Sequence, residues 1–158
     1  ALAVKGCEEI LTDEDAKFDY ICCAVGTGGT ISGLINSSFS HQQVLGFPAV
    51  RSENLGKIIE DVVTNKRWNL IDEYHFGGYA KINSELVDFI NDFKDQTTVQ
   101  LDPVYTAKMV FGVVDLIDKE YFPENSKILL IHTGGLQGIS GMNKFFFLKQ
   151  LPTIKYND

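Results

Sequence analysis

Cysteine, proline and positive charge are all scarce in this chain, and each shortage removes a class of protein. The three cysteines, Cys7, Cys22 and Cys23, are odd in number and two are adjacent. Neither a C-x-x-C pair nor zinc-ligand spacing is present, so a metal centre and a disulfide framework both fall away. Reduced thiols in a cytoplasmic protein are the expected state. Lysine and arginine number 14 against 21 aspartates and glutamates, a net charge of -7. That balance argues against general affinity for nucleic acid or for an anionic membrane, though not against a local anion site. No apolar run approaches the roughly 18 residues of a membrane span, and the first residues lack the basic, apolar, then small-residue order of a secretion signal. With four prolines and no low-complexity linker or internal repeat, nothing divides the chain.

What remains is an ordinary globular composition, 44% hydrophobic and 22% charged, over 158 residues, enough for one sizeable core. The most informative stretch is Tyr20-Ile-Cys-Cys-Ala-Val-Gly-Thr-Gly-Gly-Thr-Ile-Ser-Gly33. Its first six residues suit a strand buried on both faces. Gly26-Thr27-Gly28-Gly29-Thr30 then stands where a strand hands over to a helix. Glycine lets backbone N–H groups converge on one spot, and a helix start adds unpaired donors and a positive dipole end, so the turn suits an anion such as phosphate. It lacks the P-loop lysine and departs from the G-x-G-x-x-G dinucleotide pattern. A tight strand-to-helix turn without any ligand fits these residues as well.

In chain order, residues 2–11 read as a helix with Val4, Cys7, Ile10 and Leu11 on one side, opening on Ala1-Leu2-Ala3 without a cap. That bare start reads either as a cloning scar or as a cut that removed what came before. An exposed acidic turn at 12–15 precedes a strand at 18–25, a helix at 30–36 and a strand at 42–47. Ser52 is positioned to cap a helix whose Leu55, Ile58, Ile59, Val62 and Val63 form a buried stripe. Residues 68–74 are weakly extended, and 75–80 form a glycine-broken aromatic loop. Ser84 is placed to cap a helix with Leu86, Phe89, Ile90 and Phe93 inward. Asp102-Pro103 reads as a helix start, followed by a packing face of Ala107, Val110, Phe111, Val114 and Ile117. Residues 127–132 give the clearest strand, then Thr133-Gly134-Gly135, then a partly helical end at 136–147. Alternating strands and helices predict an α/β fold, a mostly parallel sheet with helices on both faces. Ligands of such sheets sit beyond the strands' carboxyl ends, where both glycine turns and the segment at Tyr105 fall.

Ala24-Val25-Gly26-Thr27-Gly28-Gly29-Thr30, Leu101-Asp102-Pro103-Val104-Tyr105-Thr106-Ala107-Lys108 and Ile131-His132-Thr133-Gly134-Gly135 together resemble the 1-aminocyclopropane-1-carboxylate deaminase/D-cysteine desulfhydrase family. The Asp-Pro-Val-Tyr-x-x-Lys segment is the most specific part, and the resemblance covers nearly the whole chain. It implies the tryptophan-synthase-β-like fold, fold type II, with pyridoxal 5'-phosphate as cofactor. Gly26, Thr27, Gly28, Gly29 and Thr30 then match the phosphate-holding loop. Tyr105 matches a tyrosine lying against the pyridine ring, and Tyr79 one that approaches substrate. Thr106 and Thr133 stand where cyclopropane deaminases carry glutamate and leucine. A glutamate near the pyridine nitrogen would favour its protonated, more electron-withdrawing form, and a threonine does so much less. The resemblance therefore implies D-cysteine desulfhydrase-like α,β-elimination over ring-opening deamination.

None of Lys5, Lys17, Lys57 or Lys108 matches the family's Schiff-base lysine. This lysine and the serine-containing substrate loop are expected upstream, so residues 1–158 read as the C-terminal portion of a longer enzyme, incomplete at the N-terminus and inactive alone. An amino-acid substrate, the missing N-terminal half and a homodimer partner are the implied partners. Two other readings stay open: a Rossmann-type nucleotide module, short of a ribose-binding acid, and an interaction domain using Phe145-Phe146-Phe147 and residues 76–79.

Overall fold

In a computed structural model, which describes residues 2–156, the two apolar runs that precede the glycine turns lie side by side as strands. β1 (Tyr20–Val25) pairs with β2 (Gln43–Pro48) on one edge and β4 (Ile128–Ile131) on the other, and β3 (Trp68–Leu70) lies beyond β2. Every pairing is parallel, with Cys22 opposite both Leu45 and Leu130. The described residues also form six α-helices: α1 (Leu2–Cys7), α2 (Gly29–Ser37), α3 (Leu55–Glu60), α4 (Ser84–Thr97), α5 (Thr106–Asp118) and α6 (Ile139–Leu148).

The central strand divides the core in two, because successive side chains of a strand point to opposite faces. Cys22 and Ala24, with Leu45 and Phe47 of β2, enter a layer closed by Leu86 and Ile90 of α4, Val110 and Val113 of α5, and Phe146 of α6. Ile21, Cys23 and Val25, with Val44, face Ile31, Leu34 and Ile35 of α2 and Leu55 and Ile59 of α3. The helices thus cover both faces of a parallel sheet, as the alternation of elements requires. All three thiols are free, and those of Cys22 and Cys23 are buried on opposite sides.

Several local expectations are corrected. α1 stops at Cys7, and Ile10 lies beyond it at 37% exposure. Ala1, the first residue of the uncapped start, lies outside the described residues. Asn54, not Ser52, precedes α3, which lasts only six residues, so Ile58 and Val62 face solvent and the stripe narrows to Leu55, Ile59 and partly buried Val63. Asn83, not Ser84, caps α4, its side chain accepting the N–H of Leu86 at 2.9 Å. On α5 the buried face is rotated. Met109, Val113 and Leu116 join Ala107 and Val110, whereas Val114 and Ile117 are exposed, since α5 is wedged between the sheet and α4. The aromatic run 145–147 is helical, with Phe146 buried and Phe145 and Phe147 outward. Among the described residues no helix is long and apolar enough to cross a membrane, and no three His, Cys, Asp or Glu groups cluster as a metal would require.

Candidate active site

At the carboxyl end of β1 the chain enters Gly26 and Thr27, both exposed, and turns at Gly28, whose φ of 92° lies in the left-handed region. That conformation costs glycine little and lets α2 begin at Gly29, directly beyond the strand. Ser32 locks the first helical turn, its hydroxyl donating to the carbonyl of Gly28 at 2.7 Å. The first-turn N–H groups of a helix have no intrahelical acceptor, so this nine-residue helix presents donors and its positive dipole end at the strand's mouth.

Opposite the turn stands Tyr105. A methyl built on Gly26 would lie 3.4 Å from Cε1 of Tyr105 and 3.7 Å from its hydroxyl, so the ring lies in contact distance of the glycine backbone. Asp102 fixes this position. Its Oδ1 accepts the N–H groups of Val104 and Tyr105 at 2.9 and 2.8 Å, and its Oδ2 accepts the N–H and hydroxyl of Thr106 at 2.8 and 2.6 Å. The turn at 102–105 is therefore built on one carboxylate, and α5 begins at Thr106. Pro103 does not take the first helical position, because Tyr105 is held at φ -120°, ψ -69°, outside the helical region.

The second glycine turn closes the third side. Gly135 packs on Asp102, whose Cγ would be 3.3 Å from a side chain placed there. His132 braces the same turn: its Nδ1 accepts the N–H of Gly134 at 3.0 Å, leaving Nε2 to donate to the carbonyl of Gln100 at 2.8 Å. That pattern is the neutral ring protonated at Nε2.

Between these segments lies a cleft of about 480 Å³, lined by 26–30, Tyr105, Thr133, Gly134, Gly135 and Gln137, with Ala3 and Cys7 at one end. α1 reaches the cleft because it packs closely on α2 at Gly33, where an added methyl would stand 2.4 Å from Cβ of Cys7.

Gly26, Thr27, Gly28, Gly29, Thr30, Tyr105 and Thr133 are thus brought together. Two expected site residues stand apart from the cleft wall. Thr106 is fully buried behind it, its hydroxyl committed to Asp102. Tyr79 is 59% exposed and meets the ring of Tyr105 edge-on, centroids 6.1 Å apart at 66°, without lining the cleft itself. The Tyr105 hydroxyl has its pKa raised, first by burial, then by the Tyr79 hydroxyl and the charge of Asp102.

From sequence, Asp102 reads only as part of a helix start and Lys108 only as a lysine that does not match the Schiff-base motif. Lys108 is 1% exposed, its Nζ donating to the carbonyls of His75 and Gly78, both at 2.8 Å. Burial pulls its pKa down to about 8, against the opposing pull of Asp102. An aspartate two to four residues before several free N–H groups signals such a turn. Nothing local signals the lysine's partners.

No protein-family model matches the chain. A putative 1-aminocyclopropane-1-carboxylate deaminase of Pyrococcus horikoshii is 37% identical over 149 residues, 85% of this chain and 45% of the relative. The chain belongs to the 1-aminocyclopropane-1-carboxylate deaminase/D-cysteine desulfhydrase family. A mitochondrial bifunctional D-cysteine desulfhydrase/1-aminocyclopropane-1-carboxylate deaminase of Arabidopsis thaliana is 34% identical over 144 residues, 80% of this chain and 34% of that protein. The crystal structure of a deaminase homologue superimposes with a TM-score of 0.78 at 33% identity, over 92% of this chain and 49% of the other. A processed threonine deaminase isoform of Solanum lycopersicum, at 18% identity and a TM-score of 0.59, covers 94% of this chain and 47% of its own and shares the fold alone. The fold is tryptophan-synthase-β-like, fold type II. This family member spans under half the length of the curated relatives it matches.

Proposed function

We propose that the cleft holds pyridoxal 5'-phosphate and that the protein catalyses α,β-elimination from an amino acid in the manner of a D-cysteine desulfhydrase, releasing pyruvate, ammonia and sulfide with uptake of one water. The observation that carries this reading is the Tyr105 ring set against Gly26 at the mouth of an anion-suited helix start. The residues present suit the cofactor. Gly26, Thr27, Gly28, Gly29 and Thr30 offer convergent N–H and hydroxyl donors for its phosphate, and Tyr105 offers a flat ring for its heterocycle. When bound, this cofactor supplies the electron sink that makes loss of the Cα proton and of the β-substituent accessible.

The chain's own residues do the rest. Asp102 keeps Tyr105 in place by holding the turn before α5, and the bonds around His132 hold Thr133 across the cleft. Position 106 carries a threonine where, by the resemblance, cyclopropane deaminases carry glutamate; buried behind the cleft wall with its hydroxyl spent on Asp102, it offers the cofactor ring no carboxylate. A thiolate leaves more readily than a strained ring carbon, so the weaker electron sink suffices for it.

No lysine lines the cleft among the described residues. In keeping with the family resemblance, we assign the lysine that bonds the cofactor, and the substrate loop, to an upstream part of a longer homodimeric enzyme, in which residues 1–158 belong mainly to the large cofactor-binding domain.

The test is to purify the natural full-length protein, record its visible absorbance, and assay sulfide and pyruvate from D-cysteine, L-cysteine and aminocyclopropane carboxylate. Yellow protein that releases sulfide from D-cysteine at the highest kcat/KM is expected. Colourless protein that takes up no pyridoxal phosphate sinks the cofactor reading, and preference for aminocyclopropane carboxylate sinks the substrate reading.

A further inference from the structure

Lys108 is buried behind the cleft, and among the described residues no carboxylate forms an ion pair with it. A buried ammonium group is costly, and a methionine would fill similar space without that cost. What the ammonium does is hold a loop. Its two acceptors, the carbonyls of His75 and Gly78, belong to the segment 75–80, with positive φ at four of six positions: 56° at Phe76, 95° at Gly77, 129° at Gly78 and 52° at Ala80. Phe76 and Ala80 are not glycines, so the loop keeps a shape its own residues disfavour and needs outside contacts to hold it. Phe76 finds one on Phe111, edge-on with centroids 5.1 Å apart. Lys108 supplies the polar one. The residue after Gly78 is Tyr79, whose ring edge rests on Tyr105, three residues before Lys108. The path closes on itself, from α5 through the ammonium group to the loop, through Tyr79, and back to Tyr105.

We propose that Lys108 is a positioning residue for the cofactor cleft: it anchors the loop 75–78 by two backbone carbonyls and so keeps Tyr79 edge-on against Tyr105, which forms the cleft wall. The inference rests on the proposed function for its consequence, since Tyr105 is the residue assigned to the cofactor's ring.

The experiment uses the natural full-length protein with Lys108→Met, following amide hydrogen exchange and the dissociation constant for pyridoxal phosphate. Exchange at Gly77, Gly78 and Lys81 is expected to rise about tenfold or more while β1 keeps its protection. Cofactor binding is expected to weaken by about tenfold. Unchanged exchange in the loop overturns the proposal. Gly78→Ala provides a second variant that leaves the core intact, because no atom lies within 4 Å of the added methyl while the φ of 129° is unsuited to alanine. Displacing the loop in this way should also weaken cofactor binding, and unaltered binding overturns the proposal. Combining Lys108→Met with Tyr79→Ala should cost little more than either alone; full additivity means that Lys108 does not act through Tyr79. If the unaltered protein binds no pyridoxal phosphate, the proposed function falls, and loop exchange in Lys108→Met still decides whether the lysine anchors the loop.

Discussion

Asp102 gathers more of the site than any other side chain. Four donors from three successive residues converge on it, and the second glycine turn packs against its other side. Asp102→Asn leaves Oδ1 for Val104 and Tyr105 but turns an acceptor of two hydrogen bonds into a donor facing donors. A loss of about 2–3 kcal/mol in urea unfolding is expected, as for buried hydrogen bonds to a charged group. Gly28 tests a different force. Alanine at its left-handed φ carries an intrinsic penalty of about 1–2 kcal/mol, and its methyl would press on Ile59 at 3.3 Å. Gly28→Ala should therefore lose at least that much unfolding free energy in denaturant titration, and a smaller loss would mean that the turn relaxes. Gly26 and Tyr105 were legible from sequence because glycine chemistry and the Asp-Pro-Val-Tyr motif are local. Lys108 was not, because its acceptors lie 33 and 30 residues away and are carbonyls, which carry no residue-type signal.

The secondary elements followed hydrophobic period closely where a strand or helix was long and covered, and less well where it was short. β1 and α4 stand where the apolar pattern put them. α3 did not keep its expected face, since six residues make under two turns and leave no room for five apolar positions to align. The serine caps failed for a related reason: Ser, Asn and Asp are near-equal caps, so Asn83-Ser84 and Ser52-Glu53-Asn54 each offer two choices that only tertiary packing decides. At Asn83 the outcome has a measurable weight. Asn83→Ala leaves the Leu86 N–H without its cap, and a loss of about 1 kcal/mol is expected in chemical denaturation. Ser84→Ala, the residue favoured by sequence, should cost only a few tenths of a kcal/mol, within the range of a surface change.

For the molecule as a whole, the buried lysine gives stability a dependence on pH whose direction is fixed. The folded protein releases the Lys108 proton near pH 8, the unfolded chain near 10.5. Between those values the unfolded chain holds more protons, so this group makes the fold more stable as pH rises. Denaturation of the natural protein and of Lys108→Met from pH 8 to 9.5 should show the variant with the shallower upward slope. Equal slopes would mean that the ammonium keeps its ordinary affinity for protons. Higher pH is unsuitable for the comparison, because the raised hydroxyls of Tyr20, Tyr74 and Tyr105 act in the opposite sense as they ionise.

The adjacent pair in β1 offers a use of its own. Burial pushes both strand thiols up, that of Cys23 to about 12, so neither reacts while the sheet is sandwiched, and Cys7 alone should take an alkylating reagent quickly. Because the two side chains point into separate layers, they serve as neighbouring tripwires on opposite sides of one wall. Brief alkylation in rising urea, read by peptide mass, would report which layer peels from the sheet first.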